Sequence, residues 1–339
     1  MASDYSPETR QDRITNQWVT FAPTRSERPH RTTTDLSSDA PDDDVPVEGC
    51  PFCPGHEDML PSVLWELNDD AERSWCTRAV PNKFPALTPG APAPASPTSP
   101  LYSSKQSRGQ QEVIIDTPAH HRTPAHFSLD EMDALLRTYL ARYRALREGT
   151  DDLLPILFRN HGAGAGASID HPHSQLIALP FDPPQIRREE AAAKARYDEL
   201  GRCPYCAMID TELETGTRLV RSTDAFLVFV PYAAREPYEM WILPRRHEPE
   251  MGRMTEAERQ ALAPVLQDAL WRLDTCLDDP DYNYFFRTAL AHNSEASHLH
   301  WSLRIRPRLS VEAGFEQCTD VRVNPSIPER DASVLREAD

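Results

Sequence analysis

The stretch FRNHGAGAGASIDHPHSQLIALP, residues 158–180, decides how this chain folds and where its chemistry lies. A loop of small residues opens it, and from His171 onward the run into LIAL indicates a β-strand. Because side chains alternate faces along a strand, His171, His173 and Gln175 share one face. The loop has no bulky side chains to keep an anion from its N–H groups, and Ser168 adds a hydroxyl. The stretch therefore predicts a phosphate site beside a nucleophilic imidazole.

The same residues also fit a plainer interpretation. Glycine and alanine runs are often simple turns, and a single histidine is more often a core or surface residue than a catalyst. The choice between the two interpretations depends on patterns elsewhere in the chain.

Composition narrows the class of protein. The chain has 339 residues, of which 39% are hydrophobic and 8% aromatic, enough for one large or two medium folded domains. A formal net charge of −17 argues against a general nucleic-acid surface, since such surfaces are rich in Lys and Arg. No apolar run of about 18 residues indicates a membrane span, and the N-terminal residues do not resemble a signal peptide. We therefore expect a cytoplasmic protein without nucleic-acid or membrane partners.

One pattern occurs twice along the chain. In each half a CxxC pair, a later histidine and an HxH motif follow one another in the same order. His120 precedes His171 by 51 residues, and His247 precedes His298 by the same 51. An internal duplication explains this agreement more simply than chance does.

The repeated cysteines and histidines have the composition of zinc sites. Zinc takes four nitrogen or sulfur ligands in a tetrahedron, and a CxxC turn supplies two of them from one side. In a reducing compartment such pairs favour a metal over a disulfide. Free thiols are the alternative, but the doubled arrangement favours two structural zinc sites that each tie a loop to a sheet. The predicted ligands are Cys50, Cys53, His120 and His171 in the first half, and Cys203, Cys206, His247 and His298 in the second.

Hydrophobic periodicity predicts a mixed α and β fold. Apolar residues recur at helical spacing behind a capping Ser128, and short apolar segments between the helices indicate strands. The predicted helices span 129–148, 187–200 and 256–277. We therefore predict an α/β (α+β) protein of two repeats, residues 1–190 and 191–339, each an antiparallel sheet with packed helices.

A metal bound to His171 would leave His173 free on the same face. Its neutral imidazole can attack the α-phosphorus of a nucleotide to form a nucleotidyl-histidine, which a second phosphate then discharges. Gln175, Ser168 and the loop amides would hold the phosphate oxygens as charge moves. In the second half His300 would stand in the place of His173, but no small-residue loop precedes it. We therefore expect one catalytic repeat, with the other serving as scaffold and acceptor pocket.

With these motifs the chain resembles the galactose-1-phosphate uridylyltransferase family, the two-repeat branch of the histidine-triad superfamily. The resemblance extends over nearly the whole length of the chain. The motifs that carry it are RxxR at 25–28, CPFC at 50–53, VPNKFPAL at 80–87, NxGxxxGxS leading into HPHSQ at 160–175, and the second CxxC with HLHW at 203–206 and 298–301.

The resemblance implies a ping-pong nucleotidyltransferase with histidine-triad-like repeats. In that family a UDP-sugar gives UMP to a histidine, which matches His173 here, and a sugar 1-phosphate then takes the UMP. The resemblance also implies a homodimer with sites near the interface. The implied substrate-contacting residues are Gln175 and Ser168 at the transferred phosphate, Asn160 near the phosphates and ribose, Asn82 and Phe84 at the nucleoside, and Arg25 and Arg28 at phosphate.

The chain also departs from the family pattern. Ser174 stands where uridylyltransferases often have Cys or Gly, and HPHSQ with two Cys2His2 sites is similar to a plant-type relative that acts as an ADP-glucose phosphorylase. Within 314–329, Cys318 and Asp320 replace glycines, and an added carboxylate would repel a second phosphate unless it were paired or turned away. Three alternatives to uridylyl transfer therefore stay open: nucleotide-sugar phosphorolysis or adenylyl transfer, hydrolysis of the same intermediate, and a non-enzymatic zinc-scaffolded binding protein.

Overall fold

A ten-stranded antiparallel sheet forms the centre of the molecule. The computed structural model describes residues 7–23, 25, 46–69, 74–90, 99, 101–149 and 153–338. The strands of the large sheet are β3 (Trp65–Asp69), β4 (Ser74–Pro81), β5 (Gln110–Ile115), β6 (Leu154–His161), β7 (His173–Leu179), β8 (Leu219–Ser222), β9 (Phe226–Phe229), β10 (Met240–Pro244), β11 (Tyr282–Arg287) and β12 (Ser302–Pro307). A separate sheet contains β1 (Glu8–Asp12), β2 (Gln17–Phe21) and β13 (Arg322–Asn324).

The strand order of the large sheet repeats the duplication seen in the sequence. The order is β3-β4-β5-β7-β6-β11-β12-β10-β9-β8, so the second five strands mirror the first five about the β6–β11 junction. At that junction Phe158 pairs with Phe285 and Asn160 pairs with Asn283. The predicted mixed α and β fold with two antiparallel repeats is therefore confirmed, and the two sheets are joined edge to edge into one.

Two equivalent helices cover one face of this sheet. They are α1 (Leu129–Gly149) and α4 (Glu256–Leu277), which pack against the sheet and against each other. Buried side chains such as Leu135 of α1 and Leu266 of α4 join the strands in one apolar core. Removing this apolar surface from water is the main force that holds the layers together.

Both of these helices begin at the same kind of cap. Ser128 Oγ accepts a hydrogen bond from the Glu131 amide at 3.2 Å, and the Glu131 carboxylate accepts one from the Ser128 amide at 2.8 Å. Thr255 and Glu258 make the same reciprocal pair at the start of α4, at 3.2 and 2.8 Å. The predicted Ser128 cap is confirmed, and each pair satisfies two amides that a helix start leaves without intrahelical partners.

The opposite face of the second repeat is covered by α2 (Pro184–Leu200) and α3 (Pro204–Thr215). The helix predicted over 187–200 begins three residues earlier, because Pro184 occupies its first turn, where a missing N–H costs nothing. Residues 190 and 191 both lie inside α2, so no linker marks the predicted division of the chain. Two shorter helices, α5 (Gly314–Thr319) and α6 (Pro328–Glu337), lie near the C-terminus.

None of the helices in the described part of the chain is long and apolar enough to span a lipid bilayer.

Candidate active site and metal clusters

The first Cys/His cluster brings together the four ligands predicted for the first repeat. The ligand atoms of Cys50, Cys53, His120 and His171 all lie within 4.8 Å of one another. Cys53 Sγ is 3.2 Å from His120 Nδ1 and 3.6 Å from His171 Nδ1, and Cys50 Sγ is 3.7 Å from His171 Nδ1. Bond lengths of about 2.3 and 2.1 Å in a tetrahedral zinc site would separate sulfur and nitrogen ligands by about 3.6 Å. The cluster can therefore hold a metal of this kind.

His171 is fixed in the form that a metal requires. Its Nε2 donates to the backbone carbonyl of Thr117 at 2.8 Å, which leaves Nδ1 facing the cysteines. Burial lowers the pKa of His171 to about 4, so the ring is neutral at physiological pH. A carbonyl partner on the remote ring nitrogen is the usual support for a histidine ligand.

The second cluster contains one ligand that differs from the prediction. Cys203, Cys206, His247 and His300 come together within 4.8 Å, with Cys206 Sγ at 3.5 Å from His247 Nδ1 and 3.8 Å from His300 Nδ1. His300 Nε2 donates to the Pro244 carbonyl at 2.8 Å, as His171 does to Thr117 in the first repeat. The predicted ligand was His298, which instead lies with its ring centre 6.2 Å from that of Tyr197 on α2.

Strand pairing explains why His300 replaces His298. Phe158 of β6 and Phe285 of β11 pair across the junction between the repeats. On the next strands, Gln175 pairs with Phe158 and Arg304 pairs with Phe285. Gln175 and Arg304 are therefore equivalent positions. Four residues before each lie His171 and His300. The equal 51-residue interval was misleading, because the loops between the ligands differ in length in the two repeats. The number of residues from the ligand histidine to the equivalent position in the strand is the same in both.

His173 is the first residue of β7 and lies beside the first cluster. Its Nδ1 donates to the His171 carbonyl at 2.9 Å, so the lone pair of the neutral ring is on Nε2. Phe52 of the CPFC turn packs against the imidazole, with ring centres 5.5 Å apart. Burial lowers the pKa of His173, and the nearby Arg159 cation adds to this effect. The ring is therefore neutral at physiological pH, with its lone pair on Nε2.

A buried polar network lies behind His173, on the helix side of the sheet. Arg159 donates to the His173 carbonyl at 3.3 Å and pairs with Asp116. The Ser174 hydroxyl donates to Asp116 at 3.2 Å and also contacts the Tyr139 hydroxyl of α1. Sequence reasoning treated Ser174 only as a departure from a family pattern and missed the other three residues. The available signal was the place of Arg159 and Ser174 on the core-facing side of β6 and β7, because polar residues on such a side need partners.

Gln175, next along the His173 face, is linked to the predicted nucleoside segment. Its Oε1 accepts from Gln111 Nε2 at 3.2 Å, and Gln111 Oε1 accepts from the Ala86 amide at 2.9 Å. Asn82 donates its amide to the Gln111 carbonyl at 2.9 Å, and its side chain accepts from the Phe84 amide at 2.8 Å. The Phe84 side chain is 85% exposed. Gln111, which the sequence analysis did not single out, therefore connects these residues.

Three of the four remaining predicted contact residues lie within the described structure. Asn160, at the end of β6, is half-buried, and Ser168 in the following loop is exposed. Arg25 is half-buried, and its amide donates to the Ala22 carbonyl at 2.9 Å. Arg28 lies outside the described residues. The roles assigned to these residues from the family resemblance stay predictions.

The glycine-rich loop does not present its amides as the sequence suggested. The amides of Ala165, Gly166 and Ala167 donate to carbonyls within the loop at 3.0 to 3.2 Å. The Gly164 amide donates to Asp281 Oδ2 at 2.7 Å. The prediction that these loop amides bind phosphate is therefore wrong for these four, because each already has a partner.

The carboxylate that replaces a family glycine is turned outward. Asp320 ends α5 with a left-handed backbone conformation, φ 57°, which accounts for glycine at this position in the family pattern. Its side chain is 73% exposed and lies 3.4 Å from Arg235. The pairing and the exposure together remove most of the repulsion that this carboxylate would exert on a phosphate.

The second repeat has no open face equivalent to that of His173. Ser302 occupies the position equivalent to His173, and its hydroxyl accepts from Arg304 Nε at 3.2 Å. Arg304 is fully buried, stacks 4.0 Å from the Trp241 ring centre and lies 3.2 Å from Glu189 of α2. Arg287 donates to the same carboxylate at 2.7 Å. The acceptor pocket expected in this repeat is therefore absent from this face, because charged side chains fill it.

Comparison with protein families and known proteins gives a consistent result. Residues 1–183 match the family described as "Galactose-1-phosphate uridyl transferase, N-terminal domain". The chain is 31% identical over 336 residues to the ADP-glucose phosphorylase of Arabidopsis thaliana, covering 98% of this chain and 93% of that protein. It is 27% identical over 340 residues to the galactose-1-phosphate uridylyltransferase of Thermotoga maritima, covering 98% of each.

Solved structures show the same relationship in three dimensions. The crystal structure of an ADP-glucose phosphorylase from Arabidopsis thaliana with bound ADP-glucose superposes with a TM-score of 0.84 at 29% identity, covering 99% of both chains. A structure of a uridylyltransferase superposes with a TM-score of 0.76 at 25% identity, covering 98% of both chains.

Proposed function

Because the chain belongs to the galactose-1-phosphate uridylyltransferase family and is a nucleotidyltransferase of that family, we propose that it transfers a nucleoside monophosphate through a covalent bond to His173. The observation that carries this proposal is the orientation of the His173 ring. Its Nδ1 donates to the His171 carbonyl, so Nε2 holds the free lone pair. A nucleophile whose tautomer is fixed in advance loses less entropy when it attacks.

In the first half-reaction His173 Nε2 attacks the α-phosphorus of a nucleotide sugar. The bond between this phosphorus and the bridging oxygen breaks, and the sugar 1-phosphate leaves with both electrons of that bond. The leaving phosphate has a low pKa, so it needs no strong general acid. Gln175 and Asn160 lie on the same face as His173, where their amides can hold the phosphate oxygens.

In the second half-reaction an oxygen of the acceptor phosphate attacks the same phosphorus. The bond to Nε2 breaks, the imidazole recovers its lone pair, and a pyrophosphate linkage forms. We propose zinc as the metal of both clusters, because two thiolates and two imidazoles suit it. When bound, zinc would tie the CPFC turn to His171, whose carbonyl orients His173.

We propose UDP-glucose as donor and a hexose 1-phosphate as acceptor, in line with the uridylyltransferase relatives. A second candidate is phosphorolysis of ADP-glucose, in which inorganic phosphate is the acceptor. It is favoured by the 31% identity and the TM-score of 0.84 to the plant ADP-glucose phosphorylase. We also propose a homodimer, as the family resemblance implies.

Intact-protein mass spectrometry can test both the intermediate and the base. The protein is incubated separately with UDP-glucose and with ADP-glucose, without acceptor, and peptide fragmentation then locates any added phosphoramidate. We expect one added nucleoside monophosphate, on His173. Label on another residue, or no label with either donor, would refute the proposed mechanism.

The labelled protein then identifies the acceptor. Adding galactose 1-phosphate or inorganic phosphate to separate samples should remove the label in one of them and yield a UDP-sugar or a nucleoside diphosphate, respectively. Loss of the label to water alone, with release of nucleoside monophosphate, would indicate a hydrolase instead. Analytical ultracentrifugation of the same preparation tests the dimer.

A further inference from the structure

The glycine-rich loop of the first repeat is held by a residue of the second. Asp281, immediately before β11, accepts a hydrogen bond from the Gly164 amide at 2.7 Å. A Cβ atom added at Gly162 or at Gly164 would overlap the Asp281 carboxylate. Gly162 also has φ 79°, in the left-handed region that favours glycine. The two glycines are therefore needed for the approach of Asp281 rather than for the approach of an anion to the loop backbone.

Asn283, two residues further along, joins the loop to the end of β6. Its Nδ2 donates to the Ala165 carbonyl at 2.9 Å and to Asn160 Oδ1 at 2.9 Å. Because a carbonyl oxygen can only accept, the Ala165 contact fixes which end of the Asn283 amide faces the loop. The same orientation makes Asn160 Oδ1 the acceptor. The Asn160 NH2 group then donates one hydrogen bond to the Gly166 carbonyl at 3.5 Å and keeps its second N–H for a ligand.

The position of Asn160 gives this orientation a consequence for the reaction. Arg159 pairs with Ser174, so Asn160 and His173 follow one residue later on adjoining strands and share a face. A group that donates hydrogen bonds is the kind that stabilises phosphate oxygens as charge moves during transfer. A reversed amide would present an oxygen to those oxygens and repel them.

We infer that Asn283 and Asp281 are positioning residues for nucleotidyl transfer, through which the second repeat sets the Asn160 amide and the loop beside His173. This inference rests on the proposed function of His173. It assigns to the second repeat, whose own face is filled, a direct part in shaping the site of the first. Asn283 acts through Asn160 and the loop and does not itself touch the reacting atoms.

The rate of His173 labelling under single-turnover conditions tests this inference. The donor is whichever of UDP-glucose and ADP-glucose labels the wild-type protein. We expect Asn283→Ala to lower the maximal labelling rate about tenfold with little change in the half-saturating donor concentration, because it removes the partly buried hydrogen bond that orients Asn160. In an Asn160→Ala background the same substitution should cost much less than tenfold, because only its contact with the Ala165 carbonyl is then left to lose. A full additional tenfold loss there would overturn the inference.

Gln267→Ala provides a matched control. The side-chain amide of Gln267 on α4 also donates to a backbone carbonyl, that of Ala125, at 2.9 Å. Neither Gln267 nor Ala125 belongs to the glycine-rich loop. Its removal should leave the labelling rate unchanged. If Asn283→Ala labels at the wild-type rate while Asn160→Ala is slow, the inference fails and the proposed function stands.

Hydrogen–deuterium exchange tests the inference even if the proposed function fails. Amides of the loop at 162–168 should exchange faster in Asn283→Ala and in Asp281→Ala than in the wild type or in Gln267→Ala. Unchanged exchange in both loop-contact variants would overturn the inference, whatever the donor experiments show.

Discussion

The two repeats use the same face of their sheets in opposite ways. In the first repeat His173 and Gln175 occupy this face together with half-buried Asn160. In the second, Ser302 and Arg304 take the equivalent positions, and Glu189 from α2 closes over them. Both repeats keep a Cys2His2 cluster beside the start of their equivalent strands, β7 in the first repeat and β12 in the second. Both repeats have therefore kept the metal cluster, while charged side chains fill this face only in the second.

The difference also indicates how each face is stabilised. The Glu189 carboxylate lies between the guanidinium groups of Arg287 and Arg304, and all three side chains are largely buried. Buried charges are tolerated only when they are paired, so this face must stay filled. The first repeat has fewer charges on the same face and can leave polar amides partly exposed. One sheet can thus combine a rigid half with a half that binds and releases ligands.

The largest effect is expected from removing the nucleophile. His173→Ala should lower turnover by roughly 10⁴-fold or more and abolish covalent labelling, because the neighbouring imidazole of this face, His171, belongs to the metal cluster. Steady-state kinetics with the labelling donor and its acceptor provide the measurement. Turnover near the wild-type level would show that the two faces do not differ as proposed.

The second repeat provides the complementary substitution. Ser302→His places an imidazole at the equivalent position, beneath Arg304 and Glu189. We expect no label at position 302, alone or combined with His173→Ala, since a donor cannot reach it. A covalent adduct there would contradict the filled face.

Sequence patterns revealed the repeats and the metal clusters because those features depend on residue type and order. Zinc binding requires cysteines and histidines, which the CxxC and HxH motifs show directly. A helix requires apolar residues at regular spacing, which the sequence shows over 129–148 and 256–277. The choice between His298 and His300 depends on where β12 begins and pairs. A fixed interval between distant ligands cannot report that, because the intervening loops are free to vary in length.

The roles of Glu189, Asp281 and Asn283 were invisible for a related reason. Each acts on a segment about 100 residues or more away in the sequence, across the junction of the repeats. None of the three belongs to a recognisable sequence motif. A glutamate on a helix, such as Glu189 on α2, would be expected from sequence to lie on the solvent-exposed surface. Only the β6–β11 pairing and the placement of α2 over β12 bring them to their partners.

The next largest effect concerns the metal. His300→Ala should remove one of the two metals and destabilise the fold by several kcal/mol, because structural zinc contributes directly to folding free energy. His298→Ala, the matched control, should keep both metals. Metal content per chain by inductively coupled plasma mass spectrometry distinguishes them. Loss of a metal in His298→Ala, with none lost in His300→Ala, would restore the assignment made from sequence.

A smaller loss of stability is expected at Glu189. Burial alone would raise the pKa of Glu189, but Arg304 and Arg287 outweigh burial and lower the pKa to about 2. Glu189→Gln leaves the two guanidinium groups without a counter-charge and should cost about 3 kcal/mol in the free energy of unfolding at pH 7. Urea titration gives this value.

A neighbouring carboxyl provides the control for Glu189. Burial raises the pKa of Glu190, which accepts hydrogen bonds from the Leu290 amide and Asn293, so Glu190→Gln should cost clearly less. The pH dependence has a definite sign. The folded-state pKa of Glu189 is depressed from 4.5 to about 2, so its contribution is complete above about pH 4.5 and is lost as pH falls toward 2. A penalty for Glu189→Gln that does not shrink over this range would contradict the ionic assignment.

The smallest effect tests whether the two repeats unfold together. Ser128 and Thr255 cap equivalent helices with equal hydrogen-bond distances, so Ser128→Ala and Thr255→Ala should each lower the free energy of unfolding by about 1 kcal/mol. Because β6 and β11 join the halves into one sheet, we expect a single urea transition whose midpoint falls equally in both variants while its slope stays constant. Two transitions, each sensitive to only one cap, would mean that the repeats fold as separate units. The junction between them would then be too weak for Asp281 and Asn283 to hold the loop of the first repeat.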